Sequence, residues 1–239
     1  MNLILCGGGW AEKTVIPNKL FEGLIDVSRS ILYIPLARDP AENGYENSFD
    51  WIQGEFGNIK HGDIVMVNSA LEILDQNLDD YAAIFIGGGN TYKLLKRLKD
   101  SGAFDRIEKY ISNGGLVYGC SAGAIIFGKN IDSCLYMDPN DVELSDTKGF
   151  NSIFDFSFTA HYTNKNEEKT KKATDYLLQY SEKEPVVALP EEDSLYINGD
   201  KIKIIGTRPW YVFNHGTKKQ FEPDVEYSAE DFVDTVKNV

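Results

Sequence analysis

Residues 116–127 read Leu-Val-Tyr-Gly-Cys-Ser-Ala-Gly-Ala-Ile-Ile-Phe, and no other stretch limits the folds open to the chain so strongly. Leu116, Val117 and Tyr118 have strand character, and Ala122 to Phe127 are apolar enough for a buried helix. Between them lies Gly119-Cys120-Ser121-Ala122-Gly123, a G-x-S-x-G pentapeptide in the strand–turn–helix setting that a nucleophile elbow requires. A sharp turn would lift the serine hydroxyl clear of the sheet, and glycines on both sides let backbone approach without a Cβ clash. A following helix would direct free N–H groups at the place where negative charge develops. The same pentapeptide also suits a small-residue turn that only packs a helix on a sheet, so the rest of the chain has to decide.

Upstream, strands alternate with helices. Leu3–Cys6 is a short apolar run ending at Gly7-Gly8-Gly9, read as a buried strand running into a glycine turn; it lacks the G-x-G-x-x-G spacing of a dinucleotide site. Further strands are predicted at 31–37, with Pro35 near the end, at 63–67, at 82–86 followed directly by Gly87-Gly88-Gly89-Asn90, and at 116–119. Helical periodicity covers 45–56, 91–99 and 103–112. This alternation predicts a parallel sheet with helices on both faces, whose sites form in loops at the carboxyl ends of the strands. Gly87–Asn90 and Cys120–Ala122 are both such loops, and they face each other if their strands are neighbours. Downstream, 157–161 reads as a strand, 166–180 as a polar helix, 186–189 as a strand, 195–205 as a hairpin around Asn198-Gly199, 211–213 as a last strand, and 229–239 as a helix or tail. No repeat or linker divides the chain, so residues 1–239 are expected to form a single α/β domain.

Composition narrows the partners. The 239 residues carry a net charge of −13, which argues against nucleic-acid backbones and anionic membranes. No apolar run reaches transmembrane length, and Met1–Cys6 has neither the basic region nor the cleavage site of a signal peptide. Three cysteines, Cys6, Cys120 and Cys134, suit a reducing cytoplasm, and no Cys/His cluster has metal-site spacing. A cytoplasmic enzyme without metal or cofactor, monomeric or homodimeric, is the expectation.

A serine nucleophile needs a base, and the base an orienting acid. His61 falls in Lys60-His61-Gly62-Asp63, at the amino end of a strand and so at the wrong edge of the sheet. His161 ends a strand at the carboxyl edge; His215 lies in the turn Asn214-His215-Gly216. Two orders remain open: Ser121, Asp155 and His215, as in α/β-hydrolases, or Ser121, His161 and Glu191, the last directly after a Val-Val-Ala-Leu-Pro strand.

Four blocks now carry a resemblance: Ile-Phe-Ile-Gly87-Gly88-Gly89-Asn90-Thr91, Gly119-Cys120-Ser121-Ala122-Gly123-Ala124, His161-Tyr162-Thr163-Asn164 and Leu189-Pro190-Glu191. In order and spacing they resemble the aspartyl dipeptidase (peptidase E) family of serine peptidases, to which cyanophycinase is related. The resemblance implies a fold like the class I glutamine amidotransferase domain, with a C-terminal hairpin extension here. It implies a Ser-His-Glu triad carried onto Ser121, His161 and Glu191, and an oxyanion hole from the N–H groups of Gly89 and Ala122. It further implies that Gly88, Asn90, Thr163 and Asn164 contact a short peptide substrate. Cys120, which precedes the tip of the turn, is not expected to be the nucleophile, although amidotransferase-like folds usually employ one. The chain departs from the family pattern at Glu167-Glu168-Lys169-Thr170-Lys171, where an arginine that fits an N-terminal aspartate is absent, and at Asp138, displaced from the family's aspartate loop. A broad dipeptidase is therefore the expectation, with Lys169 and Lys171 on different helix faces so that at most one reaches the site. A family member that binds a small ligand without turnover is the alternative.

Overall fold

The computed structural model covers residues 1–239, with side chains described for all but residues 41–44. In chain order the elements are β1 (Asn2–Cys6), α1 (Val15–Leu24), β2 (Ile31–Ile34), α2 (Pro40–Glu55), β3 (Ile64–Met66), α3 (Glu72–Asp75), β4 (Ala83–Ile86), α4 (Thr91–Ser101), α5 (Ala103–Ser112), β5 (Leu116–Cys120), α6 (Ala122–Ile125), β6 (Ser157–Thr159), α7 (Glu167–Tyr180), β7 (Val186–Ala188), β8 (Ser194–Asn198), β9 (Lys201–Ile205), β10 (Trp210–Asn214), β11 (Thr217–Phe221), β12 (Glu226–Ser228) and α8 (Ala229–Lys237).

Eight strands form one sheet in the order β12-β9-β8-β1-β5-β4-β2-β3, and four form a second in the order β11-β10-β7-β6. In the large sheet β1, β5, β4, β2 and β3 run parallel. Their carboxyl ends therefore bring Gly7, Ser121, Gly87 and Pro35 to one edge, as the βα alternation predicts. The central strands β1, β2, β4 and β5 are buried almost throughout, which is why they read as continuous apolar runs. Their side chains still divide by the strand period of two. Leu3, Leu5, Ile84, Ile86 and Val117 pack with α4 and α5 through Leu94, Leu98 and Ile107. Ile4, Cys6, Phe85, Tyr118 and Cys120 pack on the opposite side with Phe21 of α1 and Phe56, which directly follows α2.

The Asn-Gly signal produces β8 and β9, and the hairpin extends the large sheet directly beside β1, with Ser194 paired to Cys6. The strand predicted at 211–213 is β10, but it is not the last: β11 and β12 follow it. Both had too few apolar residues to be read as strands, since β11 is Thr-Lys-Lys-Gln-Phe and its side chains are mostly exposed. The small sheet pairs β6 with β7 in parallel, and α7 covers it through Ala173 and Leu177 against Val186, Ala188 and Phe213. Among the described residues no helix is long and apolar enough to cross a membrane.

Candidate active site

Ser121 follows β5 without a connecting residue and has φ 53° and ψ −115°, a conformation that residues with a side chain rarely adopt. Its N–H donates to the carbonyl of Cys6 (3.1 Å), so the tip of the turn is tied to the end of β1. The flanking glycines answer a spatial demand. A Cβ on Gly119 would lie 2.3 Å from the Gly123 carbonyl oxygen, and one on Gly123 would lie 2.1 Å from that of Ile86. The helix beyond is shorter than the apolar run predicts. It covers Ala122–Ile125 and then tightens, with Phe127 and Gly128 donating three residues back, to Ala124 and Ile125. The N–H groups of Gly88, Gly89 and Ala122 find no acceptor among the described residues.

His161 and Glu191 come from the other sheet, each just past the carboxyl end of one of its two parallel strands. Three backbone bonds hold this corner: Leu189 N–H to Thr159 (3.1 Å), Tyr162 N–H to Leu189 (3.0 Å) and His161 N–H to Gly7 (2.8 Å). Ser121 Oγ lies 2.8 Å from His161 Nε2, and His161 Nδ1 lies 2.8 Å from Glu191 Oε1. The imidazole beside it and the Lys13 ammonium hold the Glu191 carboxyl down to about 2, against burial, which acts in the opposite direction.

The rival residues lie elsewhere. His215 occupies the exposed β10–β11 turn, where its N–H donates to Ser181. Asp155 accepts from Asn151 on the surface. His61 precedes β3, its Nδ1 against the Gly62 carbonyl. Cys120 is buried in the apolar cluster with Cys6, Tyr33 and Phe85. Its hydrogen bond with Cys6 and its burial both push the thiol well up, away from the reactive thiolate.

Two of the residues expected to contact substrate carry structural hydrogen bonds as well. Asn90 caps α4, accepting from Lys93 N–H (2.9 Å), and its amide donates to the Pro139 carbonyl (2.9 Å). Asn164 accepts the Glu191 N–H (2.7 Å) and donates to Glu192 (2.8 Å), so it fixes the loop that carries the carboxylate. Thr163 lines a cavity of about 410 Å³ that opens at His161, with Tyr136, Met137, Tyr162 and Lys169. Of the two lysines singled out on α7, Lys169 lines this cavity while Lys171 pairs with Asp175 (2.7 Å). Lys165 and Lys172 stand at the same cavity. Gly88 belongs to a second hollow of about 240 Å³, with Arg38, Gly89, Asn90 and Lys93.

Three further groups pack around these residues, and the sequence assigns a site role to none of them. Asp138, displaced though it is, accepts from both the N–H and the hydroxyl of Thr91 (2.9 and 2.6 Å), and burial raises its carboxyl. It thus anchors the start of α4 beneath the glycine loop. The Gly7–Gly9 turn, legible only as the end of a strand, packs on His161 and Glu191. Lys13 reaches Glu191 from α1's approach; no motif marks it.

A serine, a histidine and a carboxylate in hydrogen-bonded succession, at the carboxyl edge of an α/β sheet, have the arrangement of a serine hydrolase. The family model of peptidase family S51 matches residues 3–205, and the chain belongs to that family of serine peptidases. A peptidase E of Nostoc sp. is 28% identical over 216 residues, covering 86% of this chain and 82% of the relative. A peptidase E of Escherichia coli is 24% identical over 225 residues, 90% of this chain and 92% of the relative. Among solved structures, a peptidase from an acI-B1 actinobacterium superposes with a TM-score of 0.73 at 20% identity, covering 95% and 96% of the two chains. A peptidase E-type protein of Listeria monocytogenes EGD-e gives 0.66 at 24% identity, over 87% and 98%. These two likenesses establish the fold, which is that of the glutamine amidotransferase-like peptidases.

Proposed function

We propose that the protein is a dipeptidase-like exopeptidase that cleaves short peptides through a Ser121-His161-Glu191 triad. The observation that carries this reading is the unbroken chain of two 2.8 Å contacts from Ser121 Oγ through His161 to Glu191. In this mechanism His161 Nε2 takes the hydroxyl proton as Ser121 Oγ attacks the scissile carbonyl. Glu191 accepts from Nδ1–H, fixing the tautomer and supporting the imidazolium. The oxyanion forms against the N–H groups of Gly89 and Ala122, each donor contributing about 10²–10³ in rate. His161 then protonates the departing amine, and water repeats the sequence to free the acyl group. The peptidase E relatives support a dipeptide or a similarly short substrate. The lysine-rimmed cavity at His161 supports tolerance of acidic residues, and the absence of a guanidinium fork there favours a broad preference over a strict aspartyl one.

A panel of di- and tripeptides with varied N-terminal residues, assayed with and without Ser121→Ala, tests the reading. Loss of about 10⁴–10⁶ in kcat is expected, together with labelling of the native protein, and not the variant, by a fluorophosphonate. Near-native turnover by Ser121→Ala would remove the nucleophile. No turnover and no labelling of the native protein would make it a binding relative without catalysis. Rapid inactivation by iodoacetamide that Cys120→Ala prevents would move the chemistry to the thiol.

A further inference from the structure

Glu191 has two oxygens, and only one faces His161. Oε1 lies 2.8 Å from Nδ1; Oε2 lies 2.5 Å from Lys13 Nζ. Lys13 is set by the loop that leaves β1: its N–H donates to the Trp10 carbonyl at 2.7 Å. Gly9 of that loop is packed so closely on Glu191 that a Cβ there would lie 3.1 Å from the Glu191 Cβ and 3.4 Å from that of Lys13. The lysine side chain is 42% exposed and the carboxylate 12%. An ion pair at such a surface contributes little to stability, so its consequence lies in what the carboxylate does next.

We propose that Lys13 is a positioning residue of this peptidase: its ammonium holds Oε2 of Glu191 and so sets both the orientation of the carboxylate and the strength with which it supports the charge on His161. The inference rests on the triad reading above. Two effects follow from one contact. The carboxylate, held at both oxygens, keeps its lone pair on Nδ1–H instead of rotating toward solvent. A cation on the far oxygen also offsets part of the negative charge that the imidazolium feels. The ammonium itself is raised by the hydrogen bond with Glu191 and stays charged while its partner is ionised.

Other charges face the same pair. Lys165 comes within 3.9 Å of Oε1, Glu192 lies 3.8 Å from Lys13 and 3.3 Å from Arg208, Asp138 is near enough to His161 for their charges to interact, and Lys169 stands at the cavity that His161 lines. Lys13 is the one of these cations at hydrogen-bonding distance from the carboxylate.

The experiment is the pH profile of kcat and kcat/KM for native enzyme, Lys13→Met, Lys13→Arg and Lys165→Met on the best dipeptide of the panel. Removing a unit charge at this range in a partly wet site should raise the acid limb of kcat/KM in Lys13→Met by about half to one pH unit. Its kcat should fall about tenfold through the loosened carboxylate, with KM held within about twofold. Lys13→Arg should return the limb to its native position. A lysine that merely braced the loop would lower the melting temperature of Lys13→Met and leave the limb in place, which overturns the proposal. So would an equal displacement by Lys165→Met, which would reduce the effect to general charge. Ser121→Ala and His161→Gln run alongside: if either keeps near-native turnover, the triad reading itself fails. If both are dead and Lys13→Met has a native profile, only the role of Lys13 falls.

Discussion

Gly8 sits against the imidazole of His161 so closely that a Cβ on it would lie 2.3 Å from Cε1. Its φ of 103° is also one that side chains disfavour. Gly8→Ala should therefore displace the ring from Ser121, and a displacement near 1 Å costs about 10² in rate. The variant is expected to lose kcat by about that factor or more. Restored activity in a Gly8→Ala protein whose ring has not moved would contradict the account, and a crystal structure of the variant decides it.

His161→Gln and His215→Gln should behave in opposite ways. The first removes the proposed base beside Ser121 and should cut kcat by at least about 10³. The second changes a hairpin turn and should leave kcat within about twofold. Steady-state assays of the two purified variants, with circular dichroism to confirm folding, give the answer. The reverse pattern would favour the order Ser121, Asp155, His215.

Asp193 predicts a pH dependence of stability. Burial raises its carboxyl to about 6, although Oδ1 accepts from the N–H groups of Thr207 and Arg208. Oδ2 is buried with no partner among the described residues. Between the ordinary aspartate range near 4 and this raised value the native state holds more protons than the unfolded chain, so this group makes stability fall as pH rises through that window. Asp193→Asn removes the titration. Its melting temperature relative to the native protein should thus improve steadily from pH 4 to pH 6.5. A constant difference across that range would show that Asp193 does not titrate there.

Selectivity should be modest. kcat/KM for Asp-Leu is expected within about tenfold of Ala-Leu and Ser-Leu, roughly 1.4 kcal/mol, because flexible ammonium groups replace a planar fork at the cavity. Lys169→Met should erase whatever aspartyl preference remains. Lys93 and Arg208 are already paired with Asp39 (3.0 Å) and Glu192 (3.3 Å). A preference above a thousandfold would require one of them to leave its partner.

The sequence made local geometry legible and left tertiary convergence obscure. The Ser121 turn could be read from five residues because the strand before it and Gly119, which answers the Gly123 carbonyl, are local, even though Gly123 itself answers Ile86 on a neighbouring strand. His161 could be singled out because strand direction alone assigns a strand end to one edge of a sheet. Asn90 and Asn164 were read as substrate contacts on their position beside the motifs. An asparagine can also accept a backbone N–H: Asn90 caps α4 beside it, while Asn164 holds Glu191, 27 residues further along the chain. Lys13 was invisible for a different reason. Its partner lies 178 residues away, and a lysine after a glycine turn has no local signature of that pairing.

The two sheets divide the proposed site between them. Ser121 and the glycine loops extend from the eight-stranded sheet, while His161 and Glu191 extend from the four-stranded one. Neither half can move a proton alone. During synthesis the serine turn emerges well before residue 191, and the chain at that stage holds an unactivated hydroxyl. On the proposed triad, hydrolysis should begin only when the later strands dock and the Gly7 carbonyl receives the N–H of His161. In refolding from denaturant, recovery of turnover should accordingly trail recovery of helical ellipticity, because distant pairings close last. On that reading, the delay between backbone and catalyst would time the docking of the second sheet on the first.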